Sequence, residues 1–289
     1  MGNLYLLSTP IGNLSDLSLR GRQILMEEKN FVVEDTRVFK KLLGCLNIPL
    51  GEKNIFSFHD HSNENVISRV LQLLSQGENL CLVSDAGSPI ISDPAYPIIR
   101  SVLTAGFAIS SIPGASSPIV ALELSGLPPY PFHFNGFFPR GERAQLALFQ
   151  RMMMSGGGTH ILFESPLRVE ESVQRLCEFF SDSDLAVVRE LTKKFEKVYR
   201  FSAKEWEQIK KEITYKGEFV VLIHLQHGAQ HGAAFDCERW NQWNEIEKMA
   251  EELLQYYSGH VSIKLLSKLL AMILRKNKKE VYDFLISRK

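Results

Sequence analysis

The stretch LYLLSTPIGNLSDLSLRG, residues 4–21, decides how the chain is read. An apolar run from Leu4 to Leu7 breaks at Ser8-Thr9-Pro10, crosses Ile11-Gly12-Asn13 and resumes as an amphipathic stretch. This is a strand entering a helix through a small-residue loop, the place where α/β proteins put phosphates and nucleotides. Yet the loop holds one glycine and one proline, and the dinucleotide fingerprint G-x-G-x-x-G is absent. The question is what so stiff a loop binds.

Outward from this stretch the alternation repeats. Short apolar runs at 4–8, 31–34, 55–58, 80–84 and 108–112 read as strands. Helical patterns lie between them. NENVISRVLQLLSQG, residues 63–77, sets Val66, Ile67, Val70, Leu71 and Leu74 on one stripe, and Gly77 suits its C-terminal end. Strands alternating with helices imply a mainly parallel sheet covered on both faces. GLPPYPF, residues 126–132, makes a natural linker. After it the pattern restarts with strands at 132–137, 160–165, 184–191, 197–201 and 218–225, and helices over 142–154, 167–180 and 203–213. Some of these adjacent strands are expected to run antiparallel.

The organisation expected is an α/β domain over 1–125, a second α/β domain with a mixed sheet over 126–226, a linker at 227–239, and a helical region over 240–289. In that last region Ser262 suits an N-cap and KNKKE a turn between two short helices.

Composition excludes several classes. With 45% hydrophobic residues the chain is globular rather than disordered. No apolar run approaches ~20 residues, so no membrane span is expected, and neither signal peptide nor myristoylation signal is read at the N-terminus. Cys45, Cys81, Cys177 and Cys237 show no C-x-x-C pairing, and three of them lie in apolar surroundings as expected buried thiols. The expectation is a reduced, cytoplasmic protein. Formal net charge is zero, but residues 260–289 carry eight Lys or Arg against Glu280 and Asp283. That basic helical tail is either a solvated face or an RNA contact, with Lys276 and Lys278 among its candidates.

Four loops follow strands of the first domain, and in a parallel sheet all open at one carboxyl edge. They are STPIGN (8–13), EDTR (34–37), SDAGSPIISDP (84–94) and IPGASS (112–117). Each has a bland reading: a tight turn, a helix start capped by Asp35, a turn with Ser116 as N-cap. Their convergence is the informative feature. No G-x-x-x-x-G-K-[ST], H-E-x-x-H or G-x-S-x-G occurs, and His59 and His61 around Asp60 read as a polar loop rather than a metal site. A pocket without nucleophile, metal or phosphate cradle suits a zwitterionic ligand such as an adenosyl amino acid.

Nine ordered blocks carry a resemblance: TPIGNL, EDTR, SDAGSPIISDP, IPG-x-S, SGLP, GFFPR, ESP-R, RELTK-FE and KGEFV, between about residues 4 and 224. In this order they resemble the ribosomal RNA small-subunit methyltransferase I family, 16S ribosomal RNA 2′-O-methyltransferases of the tetrapyrrole methylase (class III methyltransferase) superfamily. The chain departs from the family pattern at Ala95, Ala115, Ser117 and Gly141; the last removes a positive charge that could touch RNA.

The resemblance implies S-adenosylmethionine in a cleft between two α/β domains, a homodimer, and methylation of a cytidine ribose in 16S ribosomal RNA or the 30S subunit. Cofactor contacts are then expected from Pro10, Ile11, Gly12, Asp85, Ala86, Gly87, Ser88, Pro113, Gly114, Ser116 and Ser117. Asp35, Glu34 and Glu190 are candidates for accepting a proton, and Arg37, Arg189 and Lys193 for holding phosphate or carboxylate. For each of these the alternative is an ion pair that fixes the cleft. Two other functions stand beside this one: a small-molecule tetrapyrrole methylase, and a ribosome-binding module without turnover.

Overall fold

The structure, a computed structural model, describes residues 2–58, 63–91, 95–226, 267 and 277–287. Its first sheet holds β1 (Asn3–Leu7), β2 (Asn30–Val33), β3 (Asn54–Ser57), β4 (Leu80–Val83) and β5 (Ala108–Ile112), in the order β3-β2-β4-β1-β5 with every pair parallel. Period-two alternation builds both layers. Leu7, Phe31, Val33, Cys81 and Val83 face helices α1 (Leu19–Glu27) and α2 (Thr36–Cys45). Leu4, Val32, Leu80 and Leu82 face α3 (Asn63–Ser75) and α4 (Tyr96–Thr104). Gly77 follows α3 with φ +86°, the left-handed turn expected there.

The first four strands end one residue earlier than the sequence suggested, at 7, 33, 57 and 83. At two of these ends the backbone leaves the ladder for bonds between loops, made by Thr9 and Ser84.

Helix α5 (Ser117–Ser125) leads out of the first sheet. Its sequence SPIVALELS is apolar on more than one side; Pro118, Ala121, Leu122 and Ser125 are buried, while Ile119 and Glu123 stay exposed. Ala121 and Leu122 pack against Ile161, Ala186, Val188, Val220 and Leu222 of the second sheet, in a cluster that also takes in Ile11 and Leu191.

The second sheet holds β6 (Phe132–Phe137), β7 (Gly158–Glu164), β8 (Asp184–Arg189), β9 (Lys197–Ser202) and β10 (Phe219–Leu225), in the order β6-β7-β10-β8-β9. Only β6 and β7 are parallel; the other three pairs are antiparallel, so the sheet is mixed as expected. Helices α6 (Glu142–Met154) and α7 (Val169–Phe179) cover its outer face through Phe149, Met152, Val173 and Leu176. The helix expected over 203–213 is a correction. A capping box between Ser202 and Glu205 starts a single 3-10 turn, and α8 runs only from Trp206 to Ile209. The Tyr215 hydroxyl then donates to the Lys210 carbonyl, and Lys211 and Glu212 close separate turns.

Of the described cysteines, Cys81 and Cys177 are buried and Cys45 is exposed, which corrects any reading of Cys45 as a core thiol. Burial pushes the Cys177 thiol up to about 12. Both sheets belong to one compact unit, Met1–Gly228, and Ala229–Lys289 make a second. In the second unit the helix Lys278–Ser287 starts where the Asn277 side chain accepts from the Lys279 N–H, and it buries Val281 and Leu285. The linker 227–239, Cys237, Ser262 and the helical readings between 240 and 276 fall outside the described residues. Among the described residues no helix is long and apolar enough to cross a membrane.

Candidate functional site

At the carboxyl edge of the first sheet the loops after β1 and β4 are tied together. The Thr9 N–H donates to the Gly87 carbonyl at 2.9 Å and the Gly87 N–H returns to the Thr9 carbonyl at 3.1 Å. The Thr9 hydroxyl donates to the Ser84 carbonyl at 3.2 Å, and the Ser84 hydroxyl to the Gly87 carbonyl at 2.8 Å. Gly87 sits at φ +83°, where an added Cβ would lie 3.2 Å from Ile11 Cγ2 and 3.6 Å from the Ala115 carbonyl. A side chain there would be strained and would enter the space between three loops. Gly114 approaches Ser8 as closely: a Cβ would stand 3.0 Å from Ser8 Cβ. Thr9 and Ser84, the two residues that make the knot, were absent from the sequence-based site; the signal available was a polar pair at the ends of two apolar strands.

Gly87 is buried, Ala86 exposed, and Pro10, Asp85, Ser88, Ser116 and Ser117 half-buried; Pro113 and Gly114 are exposed. Among the described residues, the backbone N–H groups of Ile11, Ala86, Ser88 and Ala115 have no hydrogen-bond partner. Ser116 stands at the N-cap of α5 but makes no side-chain cap bond. The edge thus offers backbone donors, a hydroxyl and small side chains, a donor set that fits a flat, zwitterionic ligand without phosphates. Residues 92–94 of the third loop fall outside the described residues, as do His59, Asp60 and His61.

Asp85 reaches sideways: its Oδ1 accepts the Asp35 N–H at 3.0 Å and so ties the β2 loop to the β4 loop. Asp35 is the N-cap of α2, accepting the Arg37 N–H at 2.7 Å, and it pairs with the Arg37 guanidinium at 2.5 Å. These bonds from Arg37 hold the Asp35 carboxyl well below the usual carboxylate range. The Arg37 side chain is 89% exposed, so its outer face is open to solvent. Cap and ion pair, the bland readings, are both present. Glu34 lines a small cavity of about 20 Å³ with Val33, Phe58, Ser84 and Pro89 behind this edge.

The other polar group lies after β8. Glu190 and Thr192 both have positive φ, +53° and +60°, and for a β-branched residue this is strained backbone. The surroundings hold it. Glu190 accepts from Lys193 Nζ at 3.0 Å and from the Glu218 N–H at 2.9 Å, and the Thr192 N–H donates to Glu196 at 2.7 Å. Gly217, at φ +93°, leaves room for Glu190: a Cβ there would fall 2.4 Å from the Glu190 carboxyl carbon. Burial pushes the Glu190 carboxyl up, but the Glu218 N–H and Lys193 outweigh it and its pKa is lowered. Burial likewise opposes the Lys193 charge, and Glu190 and Glu218 restore it, so its pKa is raised. Arg189 donates to the carbonyls of Lys216 at 2.6 Å and Phe195 at 3.2 Å.

This loop meets the first one directly. The Asn13 N–H donates to the Thr192 hydroxyl at 3.1 Å, and a Cβ on Gly12 would stand 2.6 Å from Lys193 Cγ. The structure therefore brings Pro10, Ile11, Gly87, Gly114 and Ala115 together, ties Asp85 to Asp35, and sets Gly12 against the Glu190–Lys193 loop. Lys278 is exposed in the other unit, and Lys276 lies outside the described residues.

The model of the tetrapyrrole (corrin/porphyrin) methylases matches residues 3–207. Ribosomal RNA small subunit methyltransferase I of Bacillus subtilis is 33% identical over 283 residues, 98% of this chain and 94% of that protein. The protein of the same name from Halalkalibacterium halodurans is 36% identical over 222 residues, 77% of this chain and 75% of its own length. Among solved structures, diphthine synthase superposes with a TM-score of 0.58 at 16% identity, covering 78% of this chain and 90% of that one. The methyltransferase CobJ gives 0.55 at 16% identity, covering 79% and 95%. At that identity the two structures carry the fold alone. The sequence relatives carry more: the chain belongs to the ribosomal RNA small subunit methyltransferase I family, within the tetrapyrrole (corrin/porphyrin) methylases.

Proposed function

We propose that the protein methylates the 2′-hydroxyl of a cytidine ribose in 16S ribosomal RNA, with S-adenosylmethionine as cofactor, working as a homodimer on the small ribosomal subunit in the cytoplasm. The observation that carries this reading is the relation to the Bacillus subtilis protein, which runs through 98% of the chain. The donor set at the first sheet's edge supports it chemically.

The cofactor supplies a methyl group already activated on a sulfonium. The chain's task is to hold and orient. The N–H groups of Ile11, Ala86, Ser88 and Ala115, with the Ser116 and Ser117 hydroxyls and Pro10, Pro113 and Gly114 beside them, would bind the cofactor's polar ends. Fixing two reactants in one geometry can supply ~7–11 kcal/mol. The Thr9–Gly87 knot makes that edge rigid, and Asp85 sets the β2 loop against it.

For the proton of the ribose hydroxyl we assign Asp35. Its carboxylate, kept ionised by Arg37, would accept a hydrogen bond from the hydroxyl as charge develops and pass the released proton on to solvent. A positioned base typically adds 10²–10⁴-fold, and one so stabilised belongs at the low end. The Arg37 guanidinium, exposed on its outer face, would meet a phosphate next to the target. The Glu190 side chain is less exposed than that of Asp35, 16% against 25%, and accepts from Lys193 and the Glu218 N–H, so we read it as a pin for the loop and Lys193 as the cation it presents. Lys276 and Lys278 would add general affinity for RNA from the second unit.

Mass mapping of 16S ribosomal RNA from a strain lacking the protein tests the reading. One ribose methyl group should disappear from a cytidine and return when the purified protein and S-adenosylmethionine are added to the deficient subunits. An unchanged modification map overturns it.

A further inference from the structure

The loop end of the second sheet carries a feature that the cofactor site does not use. Cross-strand registers place Phe137, Phe163, Arg189 and Lys197 at one end of the sheet, with Glu164 and Phe219 beside them. Within β6 the pairing shifts between Phe134 and Phe137: Phe134 lies opposite Ile161, and Phe137 opposite Phe163. Three residues apart in a regular strand, these two rings would point to opposite faces. The extra residue, with Gly136 at φ +69°, turns Phe137 back. Both rings then meet Phe163, Phe134 at 4.9 Å and 63°, Phe137 at 5.5 Å and 70° between ring planes. Phe134 and Phe163 border the cluster that includes Ile11 and Leu191, so this is the face turned toward the cofactor loops.

Phe137 is nevertheless 62% exposed, as is Phe195 in the turn between β8 and β9, where Lys194 Nζ lies 5.7 Å from its ring centre. Arg140 follows Phe137 by three residues and is exposed. Among the described residues no carboxylate lies within ion-pair distance of Arg140 or Lys194. Each ring stands close in sequence to a cation without a carboxylate partner, at the two edges of one sheet end, and such rings and cations are what unstacked nucleotides recognise, the rings by stacking and the cations by phosphate contact.

We propose that this end of the second sheet is the single-stranded RNA docking rim, with Phe137 and Phe195 as stacking faces and Arg140 and Lys194 as phosphate contacts. The inference rests on the RNA substrate proposed above and adds to it where the strand lies. The bulge exists, on this view, to aim Phe137 at the strand.

The test uses the full-length protein and small ribosomal subunits purified from a strain lacking it. Three quantities are measured: the Kd for subunits, the Kd for S-adenosylhomocysteine by calorimetry, and the mass by sedimentation. Phe137→Ala should weaken subunit binding on the order of tenfold, the size of one lost base stack, with cofactor affinity and mass unchanged. Phe137→Tyr should restore it. Arg140→Glu with Lys194→Glu should lower the slope of log K against log salt by about 1 per contact. Unchanged subunit affinity in Phe137→Ala and in the charge-reversed variant overturns the rim, and so does a changed mass in Phe137→Ala, which would assign the surface to a second copy. If the wild-type protein binds S-adenosylhomocysteine but no subunits, the RNA substrate itself is the error.

Discussion

The loop ends of the two sheets are built from opposite materials. At the first, backbone does nearly everything: Thr9 and Gly87 exchange two hydrogen bonds, Ser84 closes the knot, and the open donors are main-chain N–H groups. At the second, side chains do it: Glu190, Lys193, Glu196 and Glu218 hold a strained loop, and aromatic rings stand in solvent. A backbone site reads the shape of one small ligand and is indifferent to salt. A site of charges and rings suits a long, flexible polyanion. On the proposed function, the first end takes the cofactor and the target ribose and the second the surrounding RNA strand; the two ends touch where Gly12 meets Thr192 and Lys193.

The sharpest way to break this contrast is Gly87→Val. At φ +83° a β-branched residue is strained, and its side chain would press on Ile11 and the Ala115 carbonyl. Saturable heat with S-adenosylhomocysteine should vanish while subunit binding survives. Equal loss of both would mean that the variant had damaged the fold and not one end.

Asp35→Asn comes next. The amide keeps the cap on α2 but loses the charge that Arg37 faces. Single-turnover methylation should slow on the order of 100-fold, with cofactor affinity unchanged. Turnover at the wild-type rate would leave Asp35 a cap and ion-pair partner only.

The two sheets should also differ in their response to acid. His160 of β7 is 2% exposed and stacks on His133 at 4.7 Å; burial, with His133 and His224 nearby, pulls its imidazole down from 6.5 to about 4. An unfolded chain takes up that proton near pH 6.5, the folded one only near pH 4. Stability is therefore complete above pH 6.5 and falls as pH drops toward 4, by on the order of 3 kcal/mol. Urea titrations at pH 7 and pH 5 should show this fall, and His160→Gln should flatten it. A pH-independent midpoint in the wild-type protein would contradict a buried neutral imidazole. Hydrogen exchange at pH 5 should open β7 before β1.

The smallest effect is expected for Lys193→Ala. Its charge is already offset by Glu190 and Glu218, so the substrate KM should rise several-fold with kcat little changed. A loss confined to kcat would instead place Lys193 at the reacting atoms.

How far the sequence alone reaches follows from the same contrast. The first end was legible because parallel strands send every following loop to one edge, so STPIGN, SDAGSP and IPGASS must converge once the strands are recognised. The knot was not: a hydrogen bond from Thr9 to Gly87 joins residues far apart in the chain, and no local pattern announces it. At the second end, RELTKK was legible as a polar group, but its strain was not: Glu190 and Thr192 take positive φ, and room for the Glu190 side chain depends on Gly217, far along the chain in the loop before β10. The exposure of Phe137 was hidden for a similar reason. FHFNGF reads as simple alternation, and only the bulge at Gly136 turns the last ring back.

Hydrogen exchange of the full-length protein with and without S-adenosylhomocysteine tests the division between the ends most directly. Added protection is expected in segments 8–13, 84–89 and 112–117, where the open N–H groups lie, and none at 137–140 or 193–196. Protection confined to 137–140 and 193–196, with the first sheet's loops unchanged, would contradict it.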